Sequence, residues 1–256
     1  LRGPSNATNH HAVRDEVLRL PRRGGVVEFG NTGFRFVRID LVDRDSSVQL
    51  VQVKAVLLYR DLPYVGRFHS SDERLNRIWD TAAWTVHLNM QNGLWDGIKR
   101  DRLVWVGDMH PEVMTITRLF DRCAVVPDSL DAVRDDTPLP GWMNGICSYS
   151  MWWVLIHHAW YRHQGDLDYL RAQHAYLADL LARLADAVGD DGAERTEQHR
   201  FLDWPSSDND DAIHAGLHAL LLMTLEAGAD LAALLGDAAL AERTRATAAR
   251  MRGYVP

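Results

Sequence analysis

Cysteine is scarce. Cys123 and Cys147 are the only two in 256 residues, too few for a disulfide framework or a four-thiolate metal centre, and compatible with a reducing, cytoplasmic setting. No stripe of lysine and arginine appears either. The net charge is -7 and the pI about 5.9, a balance that argues against a nucleic-acid-binding face. The most apolar stretch, "ALLLMTLEAGADLAALLG", is cut by Glu226 and Asp230, so no membrane span is predicted. His157, His158 and His163 lack metal-ligand spacing with any Cys or Glu, and His110 and Glu112 stand too close for the zincin pattern. No metal or other cofactor is expected. There is no fixed-period repeat. Nor is there an initiating methionine or a signal-like apolar segment before Leu1, so the sequence is expected to begin inside a longer protein.

What remains is an ordinary globular composition, 46% hydrophobic and 25% charged, long enough for one large domain or two smaller ones. The first 24 residues read as an irregular approach broken by Pro4, Pro21 and "RRGG". From Val26 to Tyr59 the texture is that of strands. "GFRFVRIDL" sets Phe34, Phe36, Ile39 and Leu41 against Arg35, Arg38 and Asp40, "DRDSS" supplies a turn, and "VQLVQVKAVLLY" alternates before becoming wholly apolar. Two strands alone bury too little to be stable, so this hairpin is expected at the edge of a larger sheet. After Ser70 the period becomes helical. Ser70 and Glu73 form a capping box, and Leu75, Ile78, Trp79, Ala82 and Val86 recur at three- and four-residue steps to about Met90. Further helices are predicted at 111–121, 148–164, 167–188, 211–235 and 238–253. The fold class is therefore mainly α, an array of antiparallel helical hairpins preceded by β-strands. The boundary assigns 1–68 to the strand domain and linker and 69–256 to the helical domain.

Chemistry concentrates in "LWDGIKRDRLVWVGD", which runs from Leu94 to Asp108. Asp101, Trp105 and Asp108 stand at i, i+4 and i+7, so a helical course would turn all three one way, with Asp96 on the approach loop. A carboxyl placed against an indole loses hydration and its pKa rises, which suits a general acid. Lys99, Arg100 and Arg102 pull the other way. In the plainer alternative Asp108 caps the next helix, whose first turn holds Pro111 and Glu112, and the Arg/Asp alternation is a solvated ladder. Many of the nine tryptophans, Trp95, Trp105, Trp142 and Trp204 among them, fall at helix starts or loops, where the mouth of a helical barrel would be lined, whereas Trp79, Trp153 and Trp160 sit within helical periods and are expected in the core. Rings that stack on C–H faces beside carboxylates that accept from hydroxyls point to carbohydrate. "FLDWPSSDNDD" repeats the pairing with Asp203 and Trp204, while Asp208, Asp210 and Asp211 fit the N-terminal charge of the following helix.

These stretches, with "GRFHSSDERLNRIWDTAAWTVHLNMQ", resemble the α-L-rhamnosidases of glycoside hydrolase family 78 over roughly Gly33 to Gly253. The resemblance implies a β-sandwich preceding an (α/α)6 barrel, here incomplete, and an inverting hydrolysis of terminal α-L-rhamnose. By position it implies that Asp101 takes the place of the general acid. Asp96, Arg100, Trp105 and Asp108 would bind the sugar, and Asp203 and Trp204 match a less specific Asp-Trp loop. Three departures stand out. The family's acid is a glutamate, its Asp-Cys-Pro opening is Asp96-Gly97-Ile98 here, and its Ser-Asp-Ala and Pro-Trp positions give way to "SYSMWWVLIHHAW". The second carboxylate of an inverting pair is expected beyond Pro256, and six or seven helices cannot close a twelve-helix barrel, so the 256 residues alone are expected to be inactive. The expected partner is a carbohydrate, not nucleic acid or membrane; oligomeric state stays open. Competing readings are another helical-barrel glycosidase, a non-catalytic sugar-binding protein, and a helical scaffold.

Overall fold

The computed structural model describes residues 15–30 and 32–256, so the start of the approach segment, with Pro4, and Asn31 lie outside the described residues. Among the described residues eight α-helices follow one another: α1 Glu73–Asn89, α2 Val106–Leu119, α3 Val125–Asp135, α4 Cys147–Gln164, α5 Leu167–Ala172, α6 His174–Asp186, α7 Asp210–Leu234 and α8 Ala238–Arg252, with a 3-10 turn at Met143–Gly145. Short polar side chains cap four of the eight. Asp72 accepts from Arg74 N at 2.8 Å, Asp166 from Tyr169 N at 3.0 Å, Asn209 from Ala212 N at 3.0 Å and Asp237 from Leu240 N at 3.0 Å, each worth about 1 kcal/mol. The capping box at Ser70 is thus corrected. Asp72 is the cap, and Ser70 instead bonds the Asp72 backbone through its hydroxyl and Asn76 Oδ1 through its amide. Gly165, at φ 68°, ends α4 in the left-handed conformation that favours glycine.

The core is built around α7, which packs against α8, α4 and α6, while α2 packs against α4. Leu217, Leu221, Leu225 and Leu231 of α7 meet Met151, Trp153 and Ile156 of α4 and Leu177, Leu180 and Leu184 of α6 in one buried cluster. Each such side chain contributes about 1.5–3 kcal/mol of burial. Gly228 allows the close approach of α6, because a Cβ there would lie 2.3 Å from Leu181 Cδ2. By length and composition α7 is long and apolar enough to cross a bilayer, Glu226 and Asp230 notwithstanding. Here it serves as the core helix.

Helix bounds and number differ from the sequence reading in three places. The helix predicted from 111 begins at Val106, with Pro111 inside it; α3 was not predicted; and the helix predicted over 167–188 breaks at Gln173. Among the described residues no strand forms. The turn at "DRDSS" is made, with Ser46 N bonded to Asp43 O at 3.3 Å and its hydroxyl to Asp43 Oδ2 at 2.8 Å. Its flanks do not pair, and residues 34–59 are exposed throughout. An alternating segment with no sheet to face gains nothing from its apolar side. Contacts with the helices resume near Arg60. Its guanidinium donates to Gln91 O, Tyr64 shares a hydrogen with His87 Nδ1 at 3.0 Å, and the amides of Val65 and Gly66 bond Leu119 O. Gly66 has to be glycine, since a Cβ would fall 1.6 Å from Arg118 O.

Candidate carbohydrate site

The loop between α1 and α2 is tied shut by its own first aspartate. Asp96 N bonds Leu103 O at 3.0 Å while Leu103 N donates to Asp96 Oδ1 at 3.1 Å. The residues between them turn through Arg102, at φ 57°. Residues 101–105 are therefore not helical. Asp101, Trp105 and Asp108 do not share a helical face; the pinched loop and the first turn of α2 bring them together instead. Asp101 pairs with Arg100 at 2.9 Å. Arg100 in turn is raised, first by its hydrogen bond to Asp101, against burial, and by the charges of Asp101, Asp96 and Asp108. One guanidinium thus pairs with Asp101 and feels the charges of Asp96 and Asp108.

Trp105 is the N-cap residue of α2 and supplies no capping side chain. Asn144 replaces it. In a left-handed conformation at φ 52°, its Oδ1 accepts from Val106 N and its Nδ2 donates to Val104 O, both at 3.1 Å, so one amide brackets Trp105 on either side. Trp105 meets Tyr149, from the first turn of α4, edge to face with centroids 6.0 Å apart and planes at 86°. The Tyr149 hydroxyl donates to Asp108 Oδ2 at 3.5 Å. Burial and the neighbouring carboxylates push that phenol up to about 12, so it stays a donor across the neutral range. The expected Asp101–Trp105 contact is replaced by an Asp101–Arg100 pair and a Trp105–Tyr149 corner.

Burial raises the pKa of three carboxyls around this loop and the first turns of α2. Asp96 goes up mainly through burial, against its bond from Leu103. Asp108 is exposed by surface area, yet enough protein crowds it that desolvation raises it, with Asp96 adding to the effect and Tyr149 opposing it. One turn on, Glu112 is pushed up to about 8 by burial, with Asp108 and Asp96 adding to the effect.

The second Asp-Trp pair is held less tightly. Asp203 is spent on a local turn, accepting from Ser206 N at 2.9 Å and Ser206 Oγ at 2.6 Å, which keeps its carboxyl below the usual range. Trp204 is 73% exposed and contacts Phe201. Its loop is anchored on the same end of α4 as Tyr149: Ser148 Oγ donates to Phe201 O, and Cys147 N bonds His199 O. Behind it, buried Glu194 receives Arg200 through two nitrogens at 2.8 Å and His214 Nδ1 at 3.1 Å. Trp142 does not line an opening; it is buried, with the Arg183 guanidinium 3.7 Å over its ring. Trp153 and Trp160 are core, and Trp79 packs partly buried against it. Asp210 and Asp211 occupy the first turn of α7 as predicted. Tyr149, Asn144 and Glu112 were not singled out as site residues from sequence, although "NG" at 144–145 and the i+4 spacing of Asp108 and Glu112 were available signals.

A family model, bacterial alpha-L-rhamnosidase 6 hairpin glycosidase domain, matches residues 63–254. An alpha-L-rhamnosidase of Formosa agariphila is 30% identical over 83 residues, covering 32% of this chain and 8% of that protein. One from Alteromonas sp. is 22% identical over 156 residues, 59% of this chain and 17% of that protein. Among solved structures, a GH78 family rhamnosidase of Bacillus sp. GL1 aligns with a TM-score of 0.63 at 22% identity, over 76% of this chain and 21% of its own. The rhamnosidase from Klebsiella oxytoca with rhamnose bound aligns at 0.62 and 22% identity, over 72% and 38%. The chain thus spans less than two fifths of the length of each of these relatives. The family match covers most of the sequence and includes the whole helical array. This chain belongs to the bacterial α-L-rhamnosidase six-hairpin glycosidase family.

Proposed function

We propose that this chain forms part of a glycoside hydrolase that releases terminal α-L-rhamnose from glycans or glycosides with inversion. The observation that carries the reading is the Asp101–Arg100 pair, within the electrostatic reach of Asp96 and Asp108, together with the Trp105–Tyr149–Asp108 corner. In this reading Asp96 and Asp108 accept sugar hydroxyls, and the aromatic corner meets a C–H face of the ring. Asp101 gives its proton to the leaving glycosidic oxygen, with Arg100 orienting it, while Asp203 and Trp204 extend the wall. As the C–O bond breaks, water adds to the anomeric carbon from the opposite face. Its proton goes to a carboxylate about 6.5–9.5 Å from the acid, which is expected outside these 256 residues.

The test is Asp101→Asn in the protein that carries this domain. Release from an aryl α-L-rhamnoside should fall at least about 100-fold, and undiminished release sinks the assignment. NMR of the first-formed anomer checks inversion. One observation favours a second reading, sugar binding without turnover. Asp101 is engaged with Arg100 at 2.9 Å, so donation requires it to leave the guanidinium as substrate enters, whereas binding does not. Rhamnose binding with no hydrolysis by the unsubstituted protein selects that reading, and a panel of aryl glycosides separates rhamnose from other sugars.

A further inference from the structure

Helix α2 carries a carboxyl group that the proposed reaction does not use. Glu112 follows Asp108 at i+4, so both project from one side of the helix. Its Oε1 accepts from Asn89 Nδ2 at 3.4 Å, and Asn89, the last residue of α1, is itself buried. Its Oε2 is sealed from solvent without a hydrogen-bond partner. The charged groups that act on it are Asp108 on its own helix and Asp96 on the loop from α1. From α1 it meets the neutral Asn89, and on the α4 side the Tyr149 hydroxyl is directed at Asp108. None of these is a cation.

We propose that Glu112 is a positioning residue of the sugar site, an uncharged carboxyl beside Asn89 and Asp108 that leaves Asp96 and Asp108 to hold the negative charge that accepts sugar hydroxyls. The inference rests on the sugar-binding reading of those two aspartates. A charged oxygen at Oε2 would be buried with no donor, which is far costlier than a neutral one. Burial, reinforced by Asp108 and Asp96, pushes Glu112 up to about 8, so near neutrality the proton rests there. Once Glu112 ionises, three negative groups share one pocket and titrate as a set. The proton leaves to solvent, and the newly charged, unpartnered Oε2 must turn toward water or a donor, which disturbs Asp108 one turn away and the acceptor geometry offered to the sugar.

The experiment compares the unsubstituted protein with Glu112→Gln, which keeps the shape and removes the titration. Two readouts run from about pH 6 to 9.5: the carboxyl carbon resonances of Asp96 and Asp108, and calorimetric affinity for rhamnose. In the unsubstituted protein both aspartates should inflect where Glu112 titrates, and rhamnose affinity should fall about tenfold across that range. Glu112→Gln should abolish both effects while keeping affinity at pH 6.5 within about twofold. Aspartate resonances that ignore Glu112, or an equal alkaline loss in Glu112→Gln, overturn the inference. Carboxyl coupling in a protein that binds no rhamnose at any pH overturns the sugar-site reading and leaves the hold of Glu112 on the two aspartates standing. Should Glu112→Gln fail to fold, Asn89→Leu is the second handle: losing that donor should move the inflection to higher pH, and an unmoved inflection counts against the proposal.

Discussion

At the scale of single residues, the aromatic corner depends on Gly107. A Cβ there would lie 2.1 Å from Tyr149 Cε1, so Gly107→Ala has to displace the ring, its edge contact with Trp105 and its bond to Asp108. Two effects oppose each other. Alanine favours a helix over glycine by about 1 kcal/mol, while overpacking costs about 1–3 kcal/mol. The expected outcome is a net loss of stability and about a tenfold loss of rhamnose affinity, read by thermal melts and sugar-dependent tryptophan fluorescence. Tyr149→Phe keeps the corner and removes one hydroxyl, so its affinity should fall only about two- to threefold. A stabilised Gly107→Ala variant with full affinity would remove Tyr149 from the site. Asp96, Arg100, Asp101, Trp105 and Asp108 were legible in sequence because one short stretch holds them all. Asn144 was not, because its value lies in reaching back to Val104 and Val106, a contact made only once the 3-10 turn has folded against α2. Trp142 was misplaced for the same kind of reason: nothing local to it announces Arg183.

At the scale of elements, periodicity located α1, α4, α7 and α8 to within a residue or two at most ends, because each shows a sustained apolar pattern and a cap or break. It failed where neighbours decide the boundary. The break between α5 and α6 falls at buried Gln173, whose Nε2 donates to Asp131 Oδ1 at 3.0 Å and whose Oε1 accepts from Arg134, so the turn is set by α3. The same network reaches α4. His157 is buried, and its Nδ1 lies 2.9 Å from Trp153 O, so Nδ1 carries the proton and Nε2 faces the Tyr169 hydroxyl at 3.3 Å. Burial lowers this imidazole to about 4 from its ordinary 6.5, with the Arg134 charge adding to the fall. The folded state therefore binds fewer protons than the unfolded one between those values, so stability is present above pH 6.5 and is lost as pH falls through 4. The loss should be on the order of 3 kcal/mol. Urea unfolding of the unsubstituted chain and of His157→Asn across that window isolates it: the difference between the two should shrink toward pH 4. A constant difference shows that His157 does not titrate with unfolding.

At the scale of the molecule, the described residues before Tyr59 make few contacts with the helical array. Between residues 34 and 59 every residue is exposed. The contacts that hold the earlier chain are few: Gly33 N to Ile98 O at 2.7 Å, Thr32 Oγ1 to the carbonyls of Ile98 and Lys99, and Leu58 O receiving Gln91 Nε2 at 3.0 Å. From Tyr59 onward the situation reverses, with Tyr59, Tyr64, Trp84, His87 and Phe120 sharing edge and tilted ring contacts at the junction of α1 and α2. Alternation in the sequence was real, but it specifies a face only when a second layer exists to cover it. A chain beginning at Leu58 should therefore keep its helical far-ultraviolet signal and unfold within about 3 °C of the 256-residue chain. It should also self-associate less in light scattering, since Phe36, Val51, Val53 and Val56, each more than half exposed, leave with the deleted part. A midpoint lower by more than about 10 °C would mean that the early chain buries apolar surface against the helices, and the strand pattern would then belong to the helical core.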